Sequence, residues 1–311
     1  MLISVIIPCY NSELTLDSCL YSVFHQTHTE LEIICINDGS TDDTLNKLYL
    51  LKDSSPFPFY ILNQENKGAC SARNAGVEIS KGEYLQFLDS DDELRPRKIE
   101  NQVQIIKENP NVDIIFAPYV KRRRQSKHMV EVYTNDQWTA LIIGRVGCTC
   151  SNLFRKKIIV DNNSWNENCI SSQEIDLMFR ILQNRLSVFF EENSFTIVNE
   201  RTSGSISSTN KVENWERAIQ LRLKIKEYLI ANNKLTRERE NGLKQILFDC
   251  IRMMYYEDKR KAIMYFNQLI KNKYKPMKSL ATSRLYVFFY SFLGFQRTQK
   301  LFARFRKKII I

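Results

Sequence analysis

Three carboxylates in four residues, Asp89, Asp91 and Asp92, close the segment 83–92, EYLQFLDSDD. They follow a short apolar run that reads as a buried strand. Asp is a poor strand former and like charges this close repel, so a strand ending this way needs compensation. A hard divalent cation supplies it: carboxylate oxygens suit Mg²⁺ or Mn²⁺, which keep open positions for substrate phosphates. The same acids also suit the N-terminal end of the helix expected after Leu94, where carboxylates meet the positive end of the helix dipole. On this segment alone both readings stand. A second acidic pair, Glu174 and Asp176, lies in SSQEIDLMFRIL at 171–182, ahead of apolar residues at helical spacing. A carboxylate there has the chemistry of a general base. Residues two apart on a helix point to different faces, so only one of the pair can look into a given site.

These groups need a frame. Apolar runs at 2–7 (LISVII, ended by Pro8), 31–36 (LEIICI), 59–62 (FYIL), 84–88 and 112–117 read as five strands. Helices are expected after Ser12, from Thr41, over the small-residue stretch 68–79 (GACSARNAGVEI) and over 96–107. Strands alternating with helices predict a parallel-type α/β sheet, and such sheets gather ligands at the carboxyl ends of their strands. Asn11, Asp38, Asp89 and Asp91 all fall at such ends. Residues 118–150 read as irregular, with the run 121–124 (KRRR) as a solvated loop. A strand is expected at 151–154, a helix at 171–182 and one or two strands over 187–198. A Ser-, Thr- and Asn-rich boundary at 205–212 separates this body from a helical remainder.

Charge divides the chain in the same place. Residues 211–311 hold 24 basic and 8 acidic residues, while 1–210 hold 21 basic and 27 acidic ones. After Asp258 no acid occurs, against 14 basic residues, which suggests a polyanionic surface as partner. Between 279 and 308 the bases alternate with Leu280, Leu285, Phe288, Phe289, Phe292, Phe295, Phe302 and Phe305, a composition that fits an interfacial helix on anionic lipid. Packing on the body, or a homodimer, is the competing expectation. The longest apolar stretch, 285–295, is short of the roughly 20 residues a membrane-spanning helix needs. The eight cysteines show no Cys-x-x-Cys spacing and read as reduced core thiols of a cytoplasmic protein.

The segments VIIPCYN, INDGSTDDT, NKGACSARNAG, FLDSDD and SSQEIDLMFRIL, in this order, resemble the inverting family-2 glycosyltransferases, over about residues 1–207. That resemblance implies a GT-A fold, an α/β nucleotide-sugar-binding sheet, as a catalytic domain at 1–207, followed by a basic helical C-terminal region at 208–311. It implies a metal-dependent, hexosyltransferase-type enzyme. Such an enzyme moves a sugar from a nucleotide-diphosphate sugar, a UDP-sugar by family weight, to a hydroxyl of a lipid-linked or growing cell-surface glycan. By the same resemblance, Pro8, Tyr10, Asn11, Asp38, Arg73 and Asp89 would contact the nucleotide-sugar, Asp91 would hold Mn²⁺ or Mg²⁺, and Glu174 would be the base, with Asp176 as runner-up. The implied location is the inner face of the plasma membrane, held peripherally by the C-terminal helix, with no nucleic-acid partner. Two features depart from the family: Gln173-Glu174 stands where many members have Glu-Asp, and no His occurs in the 201–205 region, where Arg201 is the nearest aid to a diphosphate.

Other classes fit less well. A sugar-nucleotide pyrophosphorylase wants a glycine-rich basic loop after the first strand, but the turn here is PCYNS. A dinucleotide oxidoreductase wants Gly-x-Gly-x-x-Gly there. A non-catalytic membrane-binding protein would use the tail and leave the acidic strand ends unexplained.

Overall fold

The apolar runs become parallel strands because each is too short to bury itself and is flanked by helices that cover both faces of a sheet. In the computed structural model, which describes residues 1–123, 126–200, 210–270, 274–279 and 281–309, the first unit runs in this order: β1 (Ile3–Cys9), α1 (Leu16–Phe24), β2 (Leu31–Asp38), α2 (Thr44–Asp53), β3 (Phe59–Gln64), α3 (Ala69–Ile79), β4 (Tyr84–Phe87), β5 (Glu93–Leu94) and α4 (Lys98–Glu108). It continues with β6 (Ile114–Phe116), β7 (Tyr119–Arg123), β8 (Ser126–Val130), α5 (Gln137–Ile143), β9 (Leu153–Arg155), α6 (Lys156–Asp161), α7 (Gln173–Leu182), β10 (Val188–Phe190) and β11 (Thr196–Asn199). The main sheet has seven strands in the order β10-β6-β9-β4-β1-β2-β3. All neighbours are parallel except β9, which runs antiparallel between β4 and β6. The core lies between sheet and helices, with Ile3, Val5 and Ile7 of β1, Ile33 and Cys35 of β2, and Leu16, Leu20 and Val23 of α1 fully buried.

Two local details shape the site end of this sheet. Pro8 does not end β1, which continues to Cys9. The β4 ladder stops at the Ile6–Phe87 pair, so Pro8 sits where only β2 remains alongside. The small residues of α3 let it lie directly on the sheet: a Cβ on Gly76 would come 2.4 Å from Ile6 Cγ2 and 3.0 Å from Ile36 Cδ1.

The expected irregular region is ordered. β7 and β8 form an antiparallel hairpin, and β7 also pairs in parallel with β11, within a four-stranded sheet β5-β11-β7-β8. The basic run is therefore strand, not loop: Lys121 and Arg123 reach Glu200, and Arg122 pairs with Glu93. Arg124 lies outside the described residues. Helix α5 follows, with Asp136 accepting from the Thr139 amide at 2.7 Å and Gly144 closing it at φ 68°.

The chain divides into two units, Met1–Thr202 and Ser203–Ile311. The second holds α8 (Lys211–Ala231), α9 (Arg237–Met254), α10 (Lys259–Tyr265) continuing as a π-helical turn, and α11 (Arg284–Ile309), which breaks at Gly294. Its own core centres on Phe248, with Phe266, Tyr286, Tyr290 and Phe295 around that ring. Among the described residues, no helix is long and apolar enough to cross a membrane.

Candidate active site

The carboxyl ends of β1, β2 and β4 bring together residues far apart in sequence. At the end of β1, Asn11 takes a left-handed conformation (φ 48°), which Asn tolerates better than most residues. Its Oδ1 accepts from the Thr41 amide at 2.8 Å, and its own amide donates to Ser40 Oγ at 3.1 Å. Tyr10 beside it is exposed, and Pro8 is half-buried. At the end of β2, buried Asp38 accepts from Gln64 Nε2 (2.7 Å) and from the amides of Lys67 (2.9 Å) and Gly68 (2.8 Å). Asp38 thus pins the loop that launches α3, and α3 in turn carries Arg73.

The acidic turn after β4 is held from three sides. Ser90 Oγ lies 2.7 Å from Ser12 Oγ, tying the turn to the β1 end. The Asp89 amide donates to Cys150 Sγ at 3.3 Å. On the third side Asn199, at the end of β11, makes three contacts. Its amide donates to Asp92 Oδ1 at 2.9 Å, its Nδ2 donates to the Asp91 carbonyl at 2.6 Å, and the same nitrogen lies 3.3 Å from Glu93 Oε1. Asn199 Oδ1 accepts from Arg122 Nε at 2.6 Å, so both ends of the amide are engaged. Nothing at position 199 signalled this role in the sequence, because its partners on the acidic turn lie more than a hundred residues away.

Arg73 is the central cation. Its side chain is buried; Nη2 donates to Asp89 Oδ1 at 2.8 Å and Nη1 to Gln173 Oε1 at 3.0 Å. Its guanidinium lies over the Trp165 ring, 4.6 Å from the centroid. Gln173 opens α7, and the next residue is Glu174. Thr149 Oγ1 donates to Glu174 Oε1 at 3.3 Å. Burial pushes the Glu174 acid up to about 8; Thr149 and Arg73 pull it down and Asp89 adds to the rise. Asp176 faces elsewhere. It accepts from Arg180 Nε at 3.0 Å, and Arg180 also donates to the carbonyls of Asn162 and Ser164, bracing α7 on the loop after α6. Of the two candidate bases, then, Glu174 shares the neighbourhood of Arg73 and Asp89, and Asp176 serves a brace.

The carboxylates of this turn are the ligand type a hard cation takes. Asp89, Asp91 and Asp92 crowd one turn, and the Asp89 side chain is 39% exposed. Asp92 is pushed up to about 8 by burial, and then by the charges of Asp89 and Asp91, a repulsion a cation would relieve. Among the described residues, Asp89, Asp92 and Cys150 offer ligand atoms within 4.8 Å of one another. Asp92 and Cys150 are buried, whereas Asp91, which the sequence singled out for the metal, is half-buried on the same turn. Arg201 lies outside the described residues. His25 and His28 contact the carbonyls of Tyr21 and Met1, away from this turn.

The family model described as "Glycosyl transferase family 2" matches residues 4–162. An Escherichia coli relative, UDP-Glc:alpha-D-GlcNAc-diphosphoundecaprenol beta-1,3-glucosyltransferase WfaP, is 42% identical over 118 residues, which cover 38% of this chain and 46% of that protein. The first curated relatives are matched over only 32% to 39% of their own lengths. Among solved structures, Staphylococcus aureus TarS 1–349 in complex with UDP-GlcNAc aligns with TM-score 0.63 at 20% identity, over 87% of this chain and 76% of that one. The mannosyltransferase PcManGT from Pyrobaculum calidifontis, in complex with GDP-Man and Mn²⁺, aligns with TM-score 0.59 at 14% identity, over 96% and 82%. Both likenesses concern the fold, a mixed α/β unit with a central sheet and a helical region after it.

Proposed function

Because the chain belongs to glycosyl transferase family 2, we propose that it moves a hexosyl group from a nucleotide-diphosphate sugar, a UDP-sugar in this reading, to an acceptor hydroxyl with inversion at the anomeric carbon. One observation carries the reading: Arg73 joins the acidic end of β4 to the start of α7, where Glu174 stands. The groups suited to a diphosphate and the group suited to a hydroxyl proton therefore share one cation. The pyrophosphorylase alternative has no such need for a base across from the acidic turn.

The division of labour follows from the bond that breaks. Glu174 accepts the proton of the acceptor hydroxyl as that oxygen attacks the anomeric carbon. A single displacement follows, and no covalent sugar–enzyme intermediate is needed. Arg73 orients Asp89 toward the donor, and Tyr10, Asn11 and Asp38 frame the nucleoside at the neighbouring strand ends. Asp91 would hold Mn²⁺ or Mg²⁺, which when bound supplies Lewis-acid stabilisation of the leaving diphosphate. The relative whose name carries a diphosphoundecaprenol acceptor supports a lipid-linked glycan as acceptor here. In the same reading the protein works peripherally at the inner face of the plasma membrane, held there by its basic C-terminal region.

Calorimetric titration with UDP, with and without Mn²⁺, beside Asp91→Ala, tests the reading. Metal-dependent binding that the variant loses is expected. Failure of UDP, GDP and dTDP to bind in either condition would overturn the transferase assignment.

A further inference from the structure

The second unit sorts the aromatic residues of its tail into two sets. Asp249 in α9 accepts from Thr282 Oγ1 at 2.6 Å, and the Arg252 guanidinium lies 4.1 Å from the centroid of the Tyr286 ring. Tyr286 and Tyr290 are thereby fixed inward on Phe248. A helix advances 100° per residue, so residues two beyond these, Phe288 and Phe292, must point the other way. They do: Phe288 is 58% exposed, Phe292 74% and Leu285 59%, with Leu293 also exposed. The rings of Phe288 and Phe292 pack edge to face 5.2 Å apart, and Phe289 joins Phe288 at 5.6 Å. Gly294, at φ 69° and ψ −178°, then breaks the helix, and Phe295 returns to the core, stacked 4.2 Å on Phe266. The outward face is thus confined to the half-helix 284–293. Leu280 and the side chains of 305–311 lie outside the described residues.

We propose that this half-helix is the element that seats the protein on an anionic bilayer, with Leu285, Phe288 and Phe292 entering the interface. Charge decides the occupant. Arg284 stands one turn before Phe288 in the row Arg284-Phe288-Phe292, and Lys275 and Lys278 are exposed just upstream. Past Asp258 the chain has 14 basic residues and no acid. A second copy would set this charge against itself, whereas anionic headgroups complement it. A nucleic acid would want separate rings for stacking bases; here the rings pack on one another beside two leucines, a continuous apolar wedge. The inference deepens the lipid-linked-acceptor reading at one point, since such an acceptor is met at a bilayer surface, but its test uses no donor.

Flotation of the full chain with vesicles of phosphatidylcholine alone, or with added phosphatidylglycerol, tests it beside Phe288→Ser/Phe292→Ser and Arg284→Ala/Lys278→Ala. The expected result is selective partition onto the anionic vesicles. The double Phe variant should lose it roughly tenfold or more, and the basic variant should shift it to lower salt. UDP titration of the same variants should match the parent chain, which separates failure at the membrane from failure of the catalytic reading. Unchanged partition of the double Phe variant overturns the proposal. So does a dimer of the parent chain that the same substitutions dissociate, since the face would then be an interface between copies.

Discussion

Arg73 holds Asp89 and Gln173 at once, at 2.8 Å and 3.0 Å, from a side chain only 7% exposed. One guanidinium therefore fixes the distance between the acidic turn after β4 and the first turn of α7. Lysine carries the charge but not the planar fork that reaches two partners. Arg73→Lys should fold, as judged by an unchanged circular dichroism spectrum, yet lose about 10²-fold in kcat/KM, the scale seen when one preorganised electrostatic contact is removed. Near-parental turnover would show that the bridge is only structural.

Glu174→Gln keeps the shape and the Thr149 contact but cannot take a proton. Donor binding should persist while kcat falls by about 10²- to 10⁴-fold. In the parent chain, kcat/KM should rise with pH along a limb near 8, because burial pushes the Glu174 acid up to about 8 and the base must be ionised to act. A profile with no ionisation above pH 6.5 would remove Glu174 from this role.

The same shift has a stability consequence of definite sign. Glu174 binds its proton more tightly folded than unfolded, so ionising it costs stability as pH rises from about 5 to 8. Glu174→Gln removes that cost. Its Tm should match the parent near pH 5 and exceed it increasingly toward pH 8, which differential scanning fluorimetry would follow. Asp92, also pushed up to about 8 by burial, should keep part of the parent's decline in the variant.

Asp176→Asn should behave differently from Glu174→Gln. Its carboxylate pairs with Arg180, four residues on, a type of contact worth about 0.3–0.5 kcal/mol at a helix surface. Turnover within about twofold of the parent, with a small loss in Tm, is expected. A large kinetic loss would exchange the roles of the two acids.

Asn199→Ala should loosen the acidic turn without touching a donor group, because Asn199 holds the Asp91 carbonyl and the Glu93 carboxylate through one nitrogen. Metal-dependent UDP affinity should fall about 10- to 100-fold, the range for residues that orient metal ligands. Metal-independent UDP binding should not move.

Local sequence determined the repeating units of the sheet. The apolar runs of β1, β2, β3 and β4, the small-residue face of α3 and the acidic turn at 89–92 are signals a few residues long, and each became the element it announced. The candidate acids and Arg73 could be named for the same reason, since their neighbours in sequence carry the family motifs. What only the tertiary structure decided are relations across long stretches of chain. β7 ends in three basic residues; it is a strand because β8, the other arm of its hairpin, and β11, more than seventy residues later, both offer it a ladder. Asn199 gains its place on the acidic turn by that same pairing. The resemblance ranks Glu174 ahead of Asp176, and only the fold gives their partners, Thr149 for Glu174 and Arg180 for Asp176. In the tail, composition named the aromatic residues but not their directions. Tyr286 and Tyr290, held inward by Arg252 and Phe248, turn Phe288 and Phe292 outward, because a helix cannot bury both sides against one core.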